Sequence, residues 1–150
     1  MIVPKRITRK ANREDMSAIF AFAGESMKTG RTEFIRRAVD SGDAHLLEEE
    51  GKVIAVGVLE YTFFEHGFIS LVFVDPEERR TGVGEMLLRY LISICRTPKV
   101  FSSTNRSNVP MQALFGKVGF ERSGIIHNLD PGDPELIYCG TFKTFRGIEF

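Results

Sequence analysis

The sequence predicts a mixed α/β (α+β) domain in which one sheet carries helices on both faces. Hydrophobic patterns of period two and period 3.6 follow one another in the order β-α-α-β-β-β-α-β-α-β-β. In the middle of this order a strand, a glycine turn and a helix are consecutive. At 150 residues with 43% hydrophobic content, the chain is long enough to bury one core. We therefore expect a single domain over residues 1–150.

Charge and cysteine content argue against several classes of protein. Twenty basic residues balance twenty acidic ones, so no overall charge favours a nucleic-acid or membrane-surface partner. Cys95 and Cys139 have no CxxC spacing and the histidines are scattered, which argues against a zinc site. No apolar run approaches the ~20 residues of a membrane span, and the amino terminus lacks a signal-peptide pattern. We expect a cytoplasmic protein with reduced thiols and no metal.

The first part of the chain predicts a short strand and two helices. Ile2 to Arg9 has an extended pattern. Asn12 can cap the first helix, and the second begins near Thr32. The predicted buried stripes are Met16, Ile19, Phe20, Ala23 and Met27 in the first helix and Ile35, Ala38 and Val39 in the second.

Three strands are predicted next. His45 to Glu49 and Val53 to Phe64 flank a hairpin turn at Glu50-Gly51-Lys52. The second of these runs is apolar on both of its alternating faces up to Leu59, so we expect it to be covered on both sides. After a turn at Glu65 to Gly67, the run Phe68 to Val74 forms the third strand.

Two helices and three strands complete the predicted order. The helix that follows Gly84 presents one apolar face, made of Val83, Met86, Leu87, Tyr90, Leu91, Ile94 and Cys95. Val100 to Ser103 is a short strand. Asn108 can cap the next helix, which places Met111, Leu114, Phe115 and Val118 inward. Phe120 to Leu129 and Leu136 to Phe142 are the last two strands.

The glycine turn from Arg79 to Gly84 carries the clearest chemical signal. It opens a helix whose first amides lack internal partners, and such a helix start attracts phosphate. Glycine also lets a ligand approach the backbone without a Cβ in the way. A nucleotide P-loop, G-x-x-x-x-G-K-(S/T), does not match. A dinucleotide fingerprint needs a third glycine where Leu87 stands.

The run from Val72 to Gly84 resembles the central motif of the GCN5-related N-acetyltransferase (GNAT) family, (Q/R)-x-x-G-x-(G/A) after a strand. Its defining positions match at Arg79, Gly82 and Gly84. A second block resembles the downstream helix of that family through Asn108, Phe115, Lys117, Gly119 and Phe120. Because the element order is also similar, the resemblance covers nearly the whole chain.

The resemblance implies a site for acetyl-CoA as co-substrate, without a metal. The coenzyme would lie in a V-shaped opening between two parallel strands, Phe68 to Val74 and Val100 to Ser103. Its pyrophosphate would rest on the glycine turn, and its pantetheine arm would pair with main-chain groups of the first strand. The implied coenzyme-binding residues are Val72, Val74, Arg79, Arg80, Thr81, Gly82, Val83, Gly84 and Asn108.

The implied reaction is direct attack of an amine on the thioester, with the Val74 N–H polarising the carbonyl. The sequence departs from the family at two positions that concern proton transfer. Phe115 stands where many family members have a Tyr, and Ser70 stands near the position where many have a Glu. Glu60 on the neighbouring strand is the candidate base. The alternative is that Glu60 is a solvent-facing carboxylate at the end of a strand. Ser103 is a candidate contact for the thioester or the acceptor. The alternative is that Ser103 is an ordinary polar residue of a loop.

The resemblance therefore implies an N-acetyltransferase that acts on a primary amine of a small molecule or a protein. The alternative is an acyl-CoA-binding regulatory module that has lost catalysis, which Phe115 and Ser70 motivate. Homodimers are common in the family and are a further expectation. Neither the acceptor nor the acyl chain length follows from the sequence.

Overall fold

The structure is a computed structural model of the chain and describes residues 2–24 and 31–142. Contacts divide the chain into two compact units. The first unit is Met1–Leu59 with Leu71–Leu91, and the second is Glu60–Ser70 with Ile92–Phe150. That residues 1–150 form a single domain stays a prediction.

The described elements follow the predicted order. The strands are β1 (Arg6–Lys10), β2 (Ala44–Glu49), β3 (Lys52–Phe63), β4 (His66–Val74), β5 (Lys99–Asn105), β6 (Glu121–Ile126) and β7 (Glu135–Thr141). The helices are α1 (Met16–Ala23), α2 (Arg31–Ser41), α3 (Val83–Ile94) and α4 (Val109–Val118). Short 3-10 helices span Arg13–Asp15 and Pro76–Glu78.

The seven strands form one mixed sheet in the order β1-β2-β3-β4-β5-β7-β6. β4 and β5 pair in parallel, with Phe68 opposite Phe101. The pairs β1–β2, β2–β3, β5–β7 and β6–β7 are antiparallel. The predicted fold class and its parallel strand pair are confirmed.

The first unit has helices on both faces of its strands. One buried cluster contains Ile19, Ala23, Ile35, Val39, Leu46, Val56 and Val58, from α1, α2, β2 and β3. Because side chains alternate along a strand, Gly57 faces the opposite side from Val56 and Val58. There, a Cβ on Gly57 would lie 2.8 Å from Leu91 Cδ1 and 3.3 Å from Leu87 Cδ2. α3 therefore packs on the Gly57 side.

Two details of the sequence prediction are wrong. Met86 is 41% exposed, whereas Leu88, which the predicted face omitted, is fully buried. Successive helix residues are rotated by ~100°, so a face centred on Leu87 and Leu88 turns Met86 toward solvent. The turn before β4 consists of Phe64 and Glu65, both at positive φ (52° and 67°), rather than of Glu65 to Gly67. A two-residue hairpin needs such values.

Several predicted boundaries also differ. β1 is shorter than the run Ile2 to Arg9, and β6 ends at Ile126 rather than at Leu129. β5, in contrast, extends two residues beyond Ser103, to Asn105. Met27, predicted for the buried stripe of the first helix, lies outside the described residues.

Candidate active site

The glycine turn begins from a fixed point at the end of β4. Asp75 is 7% exposed, and its N–H donates to the Ile54 carbonyl over 2.8 Å. Its Oδ1 accepts from the N–H of Glu77 at 3.0 Å, which caps the 3-10 helix Pro76–Glu78. The chain therefore leaves the sheet in a defined direction before it reaches Arg79.

The turn itself exposes backbone donors. Arg80 and Gly82 both have positive φ, 69° and 82°, and α3 begins at Val83 with its first bond from Met86 N–H to the Gly82 carbonyl. The N–H groups of Gly82, Val83 and Gly84 have no acceptor among the described residues. A Cβ on Gly82 would meet nothing within 4 Å. Free amides, a helix start and open backbone fit a phosphate group.

Three side-chain hydrogen bonds fix the conformation of this turn. Arg79 Nε donates to the Val74 carbonyl at 3.3 Å, and its guanidinium lies 5.4 Å from the Phe73 ring centroid. The Thr81 hydroxyl donates to the Glu78 carbonyl at 2.7 Å. Arg6 Nη1 on β1 donates to the Thr81 carbonyl at 3.1 Å. The sequence prediction missed Arg6, because 75 positions separate it from Thr81 and no local pattern links them.

In the second unit, a side-chain hydrogen bond joins β4 and β5 where they pair. The register runs from Gly67 opposite Val100 to Ile69 opposite Ser102. The Ser102 hydroxyl, 2% exposed, donates to the Ile69 carbonyl over 2.6 Å. The described pairing of β4 with β5 ends at Ile69 and Ser102. The V-shaped opening that the resemblance implies stays a prediction.

Glu60, the candidate base, is held by two hydroxyl groups. Ser70 Oγ donates to its Oε2 at 2.8 Å, and Thr62 Oγ1 donates to its Oε1 at 2.6 Å. No basic side chain in the described part of the chain forms an ion pair with this carboxylate. The structure thus joins Ser70 and Glu60, which the sequence singled out separately. The role of Glu60 as a base stays a prediction.

Ser103 and Asn108 lie in the second unit. Ser103 is a half-buried residue of β5 opposite Ile137 of β7. Asn108 is the N-cap of α4, because its Oδ1 accepts from the N–H of Met111 at 3.2 Å. The predicted cap is confirmed. Contacts of either residue with thioester, acceptor or coenzyme stay predictions.

Phe115 is a core residue of the second unit. Its side chain is fully buried, and its ring centroid lies 4.7 Å from that of Tyr138 and 5.2 Å from that of Phe120. The position at which family members often carry a Tyr therefore lies within an aromatic cluster. Phe115 adds no polar atom to this cluster.

Three further features of residues 2–24 and 31–142 concern metal ligands, membrane helices and cysteines. No group of three or more His, Cys, Asp and Glu side chains there could hold a metal ion. No helix of that part of the chain is both long and apolar enough to cross a membrane. Cys95 and Cys139 are both free thiols.

The fold and the glycine turn together define a class of protein. Residues 10–120 match the model of the Acetyltransferase (GNAT) family. The chain therefore belongs to the GNAT family of acetyltransferases, as the sequence motifs predicted.

Individual acetyltransferases are also similar to this chain. The crystal structure of a GNAT-family acetyltransferase from Bacillus cereus ATCC 10987 has a TM-score of 0.86 at 35% identity, covering 92% of this chain and 98% of that one. A candidate ribosomal protein bS18-alanine N-acetyltransferase of Bacillus subtilis (strain 168) is 24% identical over 93% of this chain and 97% of its own. Peptidyl-lysine N-acetyltransferase YjaB of Escherichia coli (strain K12) is 30% identical over 76 residues, 48% of this chain and 50% of that relative. This last match spans about half of the relative.

Proposed function

We propose that this protein is an acetyl-CoA-dependent N-acetyltransferase that acts on a primary amine. The observation that carries the proposal is the turn before α3, where three backbone N–H groups are free of acceptors among the described residues. Bound acetyl-CoA would supply an acyl group already activated as a thioester. The new bond joins the amine nitrogen to the acetyl carbonyl carbon while the carbon–sulfur bond breaks. The amine loses one proton and the thiolate gains one.

The coenzyme's pyrophosphate is assigned to the glycine turn. The amides of Gly82, Val83 and Gly84 would donate to it, since the helix dipole of α3 and the free N–H groups both favour negative charge. The exposed Arg79 and Arg80 side chains add positive charge. The Thr81 hydroxyl already bonds the Glu78 carbonyl, so its contribution is to fix the turn.

Main-chain groups of β4 are assigned to the pantetheine arm. Val72 and Val74 lie on the last part of the strand, directly before the turn, and an extended arm can pair there as an added strand would. The Val74 carbonyl accepts one bond from Arg79 and retains a second lone pair. The N–H of Val74 is assigned to the thioester carbonyl. Asn108, already used as a helix cap, is the least supported coenzyme contact.

Glu60 is assigned as the group that takes the proton from the amine. Two hydroxyl groups fix its carboxylate, and a base must be held in place to act. Ser103 is assigned as a polar contact of thioester or acceptor. The proton for the leaving thiolate has no assigned donor, because Phe115 has no hydroxyl.

The acceptor class is a primary amine of a peptide or a small molecule. The names of two relatives specify a peptidyl lysine and a ribosomal-protein alanine as acceptors, which favours a protein amine. The neutral net charge gives no preference for an acidic or basic partner. A cytoplasmic location, a homodimer and the lack of nucleic-acid and membrane partners stay predictions.

The test of the coenzyme site is a substitution that fills the turn. Gly82→Glu places a side chain and a negative charge where the pyrophosphate would lie, and should abolish the increase in melting temperature caused by acetyl-CoA. Gly51→Glu is the matched control, because Gly51 has nearly the same φ (81°) and also has nothing within 4 Å of an added Cβ. Both variants carry the same backbone strain. If Gly82→Glu binds acetyl-CoA as tightly as Gly51→Glu does, the assignment is wrong.

An acyl-CoA-binding regulatory module is the second candidate function. The observation that favours it is the fully buried Phe115 at the position of a frequent Tyr. An assay of thiol release separates the two functions, because a binding module shifts in melting temperature with acetyl-CoA but releases no free coenzyme above background. A panel of primary amines and amino-terminal peptides provides the acceptors.

A further inference from the structure

The first unit contains a cavity of about 860 Å³. Residues of α1, of the β2–β3 hairpin and of the segment that follows β4 line it, and all of its lining residues belong to that unit. None of the residues assigned to the coenzyme, the amine or the thioester lines it. Its volume is in the range of sites for small molecules. The cavity is therefore a candidate for a second site, separate from the proposed site of acetyl transfer.

One part of the lining is apolar. α1 contributes Ala18, Ala21 and Phe22, and β3 contributes Val53. The two alanines are exposed and lie three residues apart, so they are neighbours on the helix surface. The Phe22 ring stacks on Phe73 of β4, with centroids 6.1 Å apart and an interplanar angle of 15°. This stack holds the Phe22 ring in place as a surface for an apolar group.

The charged part of the lining has an excess of carboxylates. Four acidic and two basic side chains line the cavity: Asp15, Glu48, Asp75, Glu77, Arg9 and Lys52. Arg9 forms ion pairs with two of the carboxylates, Asp15 at 2.8 Å and Glu48 at 3.1 Å. The other two, Asp75 and Glu77, form no ion pair within residues 2–24 and 31–142. Their negative charge favours a cationic ligand.

Asp75 is the buried member of this second pair. It is 7% exposed, and its Oδ1 accepts from the N–H of Glu77 at 3.0 Å. Its Oδ2 has no hydrogen-bond donor in the described part of the chain and still has access to solvent. A carboxylate that has lost most of its water is stabilised by a cation that reaches it. Asp75 thus offers a free acceptor to a ligand in the cavity.

From these observations we propose that the cavity binds a small organic cation in which an amidinium or guanidinium group is attached to an apolar body. The cation pairs with Asp75 and Glu77, and the apolar body packs on Phe22 and the two alanines. A planar cation presents several N–H donors that match carboxylate oxygens, and it loses less hydration than an ammonium group does. Because the cavity shares no residue with the proposed site of acetyl transfer, this inference does not depend on the proposed function.

The experiment compares three probes of nearly equal shape by titration calorimetry at pH 7. Benzamidine is a cation, benzamide is neutral and benzoate is an anion. Benzamidine is no primary amine, so its binding is measured without turnover. We expect benzamidine to bind about tenfold or more tightly than benzamide, the range of a hydrogen bond to a charged group, and benzoate to bind more weakly still. If benzamidine binds no more tightly than benzamide, the inference is wrong.

A substitution of the buried carboxylate tests its role. Asp75→Asn removes the negative charge but keeps a side-chain oxygen that can accept from the N–H of Glu77. It should weaken benzamidine binding about tenfold. Asp40→Asn is the matched control, because Asp40 is paired with Arg13 and does not line the cavity. Equal affinity of the two variants for benzamidine would overturn the assignment of the cation to Asp75.

A second pair of variants tests the cavity itself. Ala18→Leu places a larger side chain in the cavity and should weaken benzamidine binding severalfold. Ser17→Leu is its control, because Ser17 is an exposed neighbour on α1 that does not line the cavity. Thermal melts verify that each variant is folded, and the leucine pair decides if Asp75→Asn does not fold. Equal affinity of the two leucine variants would mean that benzamidine binds elsewhere, and the inference would fail.

Discussion

The Ser70 hydroxyl donates a 2.8 Å hydrogen bond to Glu60, so a residue of β4 orients a carboxylate of β3. If Glu60 accepts the proton of the amine, this bond contributes to its placement. We expect Ser70→Ala to reduce kcat about tenfold, because small displacements of a catalytic group are costly. The acetyl-CoA melting shift should not change. Ser123→Ala, an exposed serine of β6, is the control, and an equal kcat in the two variants would argue against Glu60 as the base.

Three hydrogen bonds hold the Asp15 carboxylate in the first unit. Arg9 donates two bonds of 2.8 Å to it, and the N–H of Asn12 donates a third. The Arg9 hydrogen bonds lower the pKa of Asp15, and the Asn12 N–H adds to this effect. We expect Asp15→Asn to lower the free energy of unfolding by about 2–3 kcal/mol, measured by urea denaturation.

Asp40 provides the comparison for Asp15. It pairs with Arg13 at 2.8 Å, but both side chains are largely exposed, and such pairs contribute about 0–1 kcal/mol. Asp40→Asn should therefore change stability little. Equal losses in the two variants would mean that the Asp15 network contributes no more than a surface ion pair.

α3 packs tightly against β3 at Gly57. A Cβ there would lie 2.8 Å from Leu91 Cδ1 and 3.3 Å from the Leu71 carbonyl oxygen. Gly57→Ala should cost about 1–3 kcal/mol through overpacking. Gly116→Ala should instead stabilise by about 0.5–1 kcal/mol, because Gly116 is an exposed residue inside α4 with open space at its Cβ position. Thermal denaturation measures both, and a stabilising Gly57→Ala would contradict the tight contact.

His45 makes stability depend on pH. Its Nδ1 lies 3.0 Å from the Tyr90 hydroxyl. Burial lowers the pKa of His45 below 6.5, Lys10 lowers it further, and Asp43 acts in the opposite direction. Since the unfolded chain then binds the proton more readily, this contribution to stability is complete above about pH 6.5 and is lost as the pH falls through the lower folded-state pKa.

The variant His45→Gln isolates this contribution, because glutamine does not titrate. Urea denaturation between pH 7.5 and pH 5 should show a steeper loss of stability in the wild-type protein than in the variant. Parallel curves for the two proteins would mean that His45 titrates alike in the folded and unfolded states.

Local patterns predicted much of the fold. The caps at Asn12 and Asn108 and the buried stripe of α2 depend on residues within one or two helical turns, so the sequence alone identifies them. The parallel pairing of β4 with β5 followed from the family resemblance rather than from periodicity. Helix orientation was less predictable, as Met86 and Leu88 demonstrate, because packing selects which part of a wide apolar stripe faces the sheet.

The candidate site was predicted only in part. Its glycine turn has a short motif, but the contacts that complete it come from distant positions or from a strand register that no pattern fixes. Arg6 approaches Thr81 from another strand, and Ser70 meets Glu60 only once β3 and β4 are aligned. The left-handed conformations of Phe64 and Glu65 were also missed, because sequence rules assign that conformation to glycine.

The contact of Arg6 with Thr81 links the glycine turn to one edge of the sheet. β1 is one of the two edge strands of the described sheet, and edge strands open more readily than central ones. Each opening of β1 would release the Thr81 carbonyl and loosen the turn. If the coenzyme binds the ordered turn as proposed, it must by thermodynamic reciprocity also favour the closed strand. Amide hydrogen exchange in β1 should therefore slow when acetyl-CoA binds, although no atom of that strand belongs to the acetyltransferase motif.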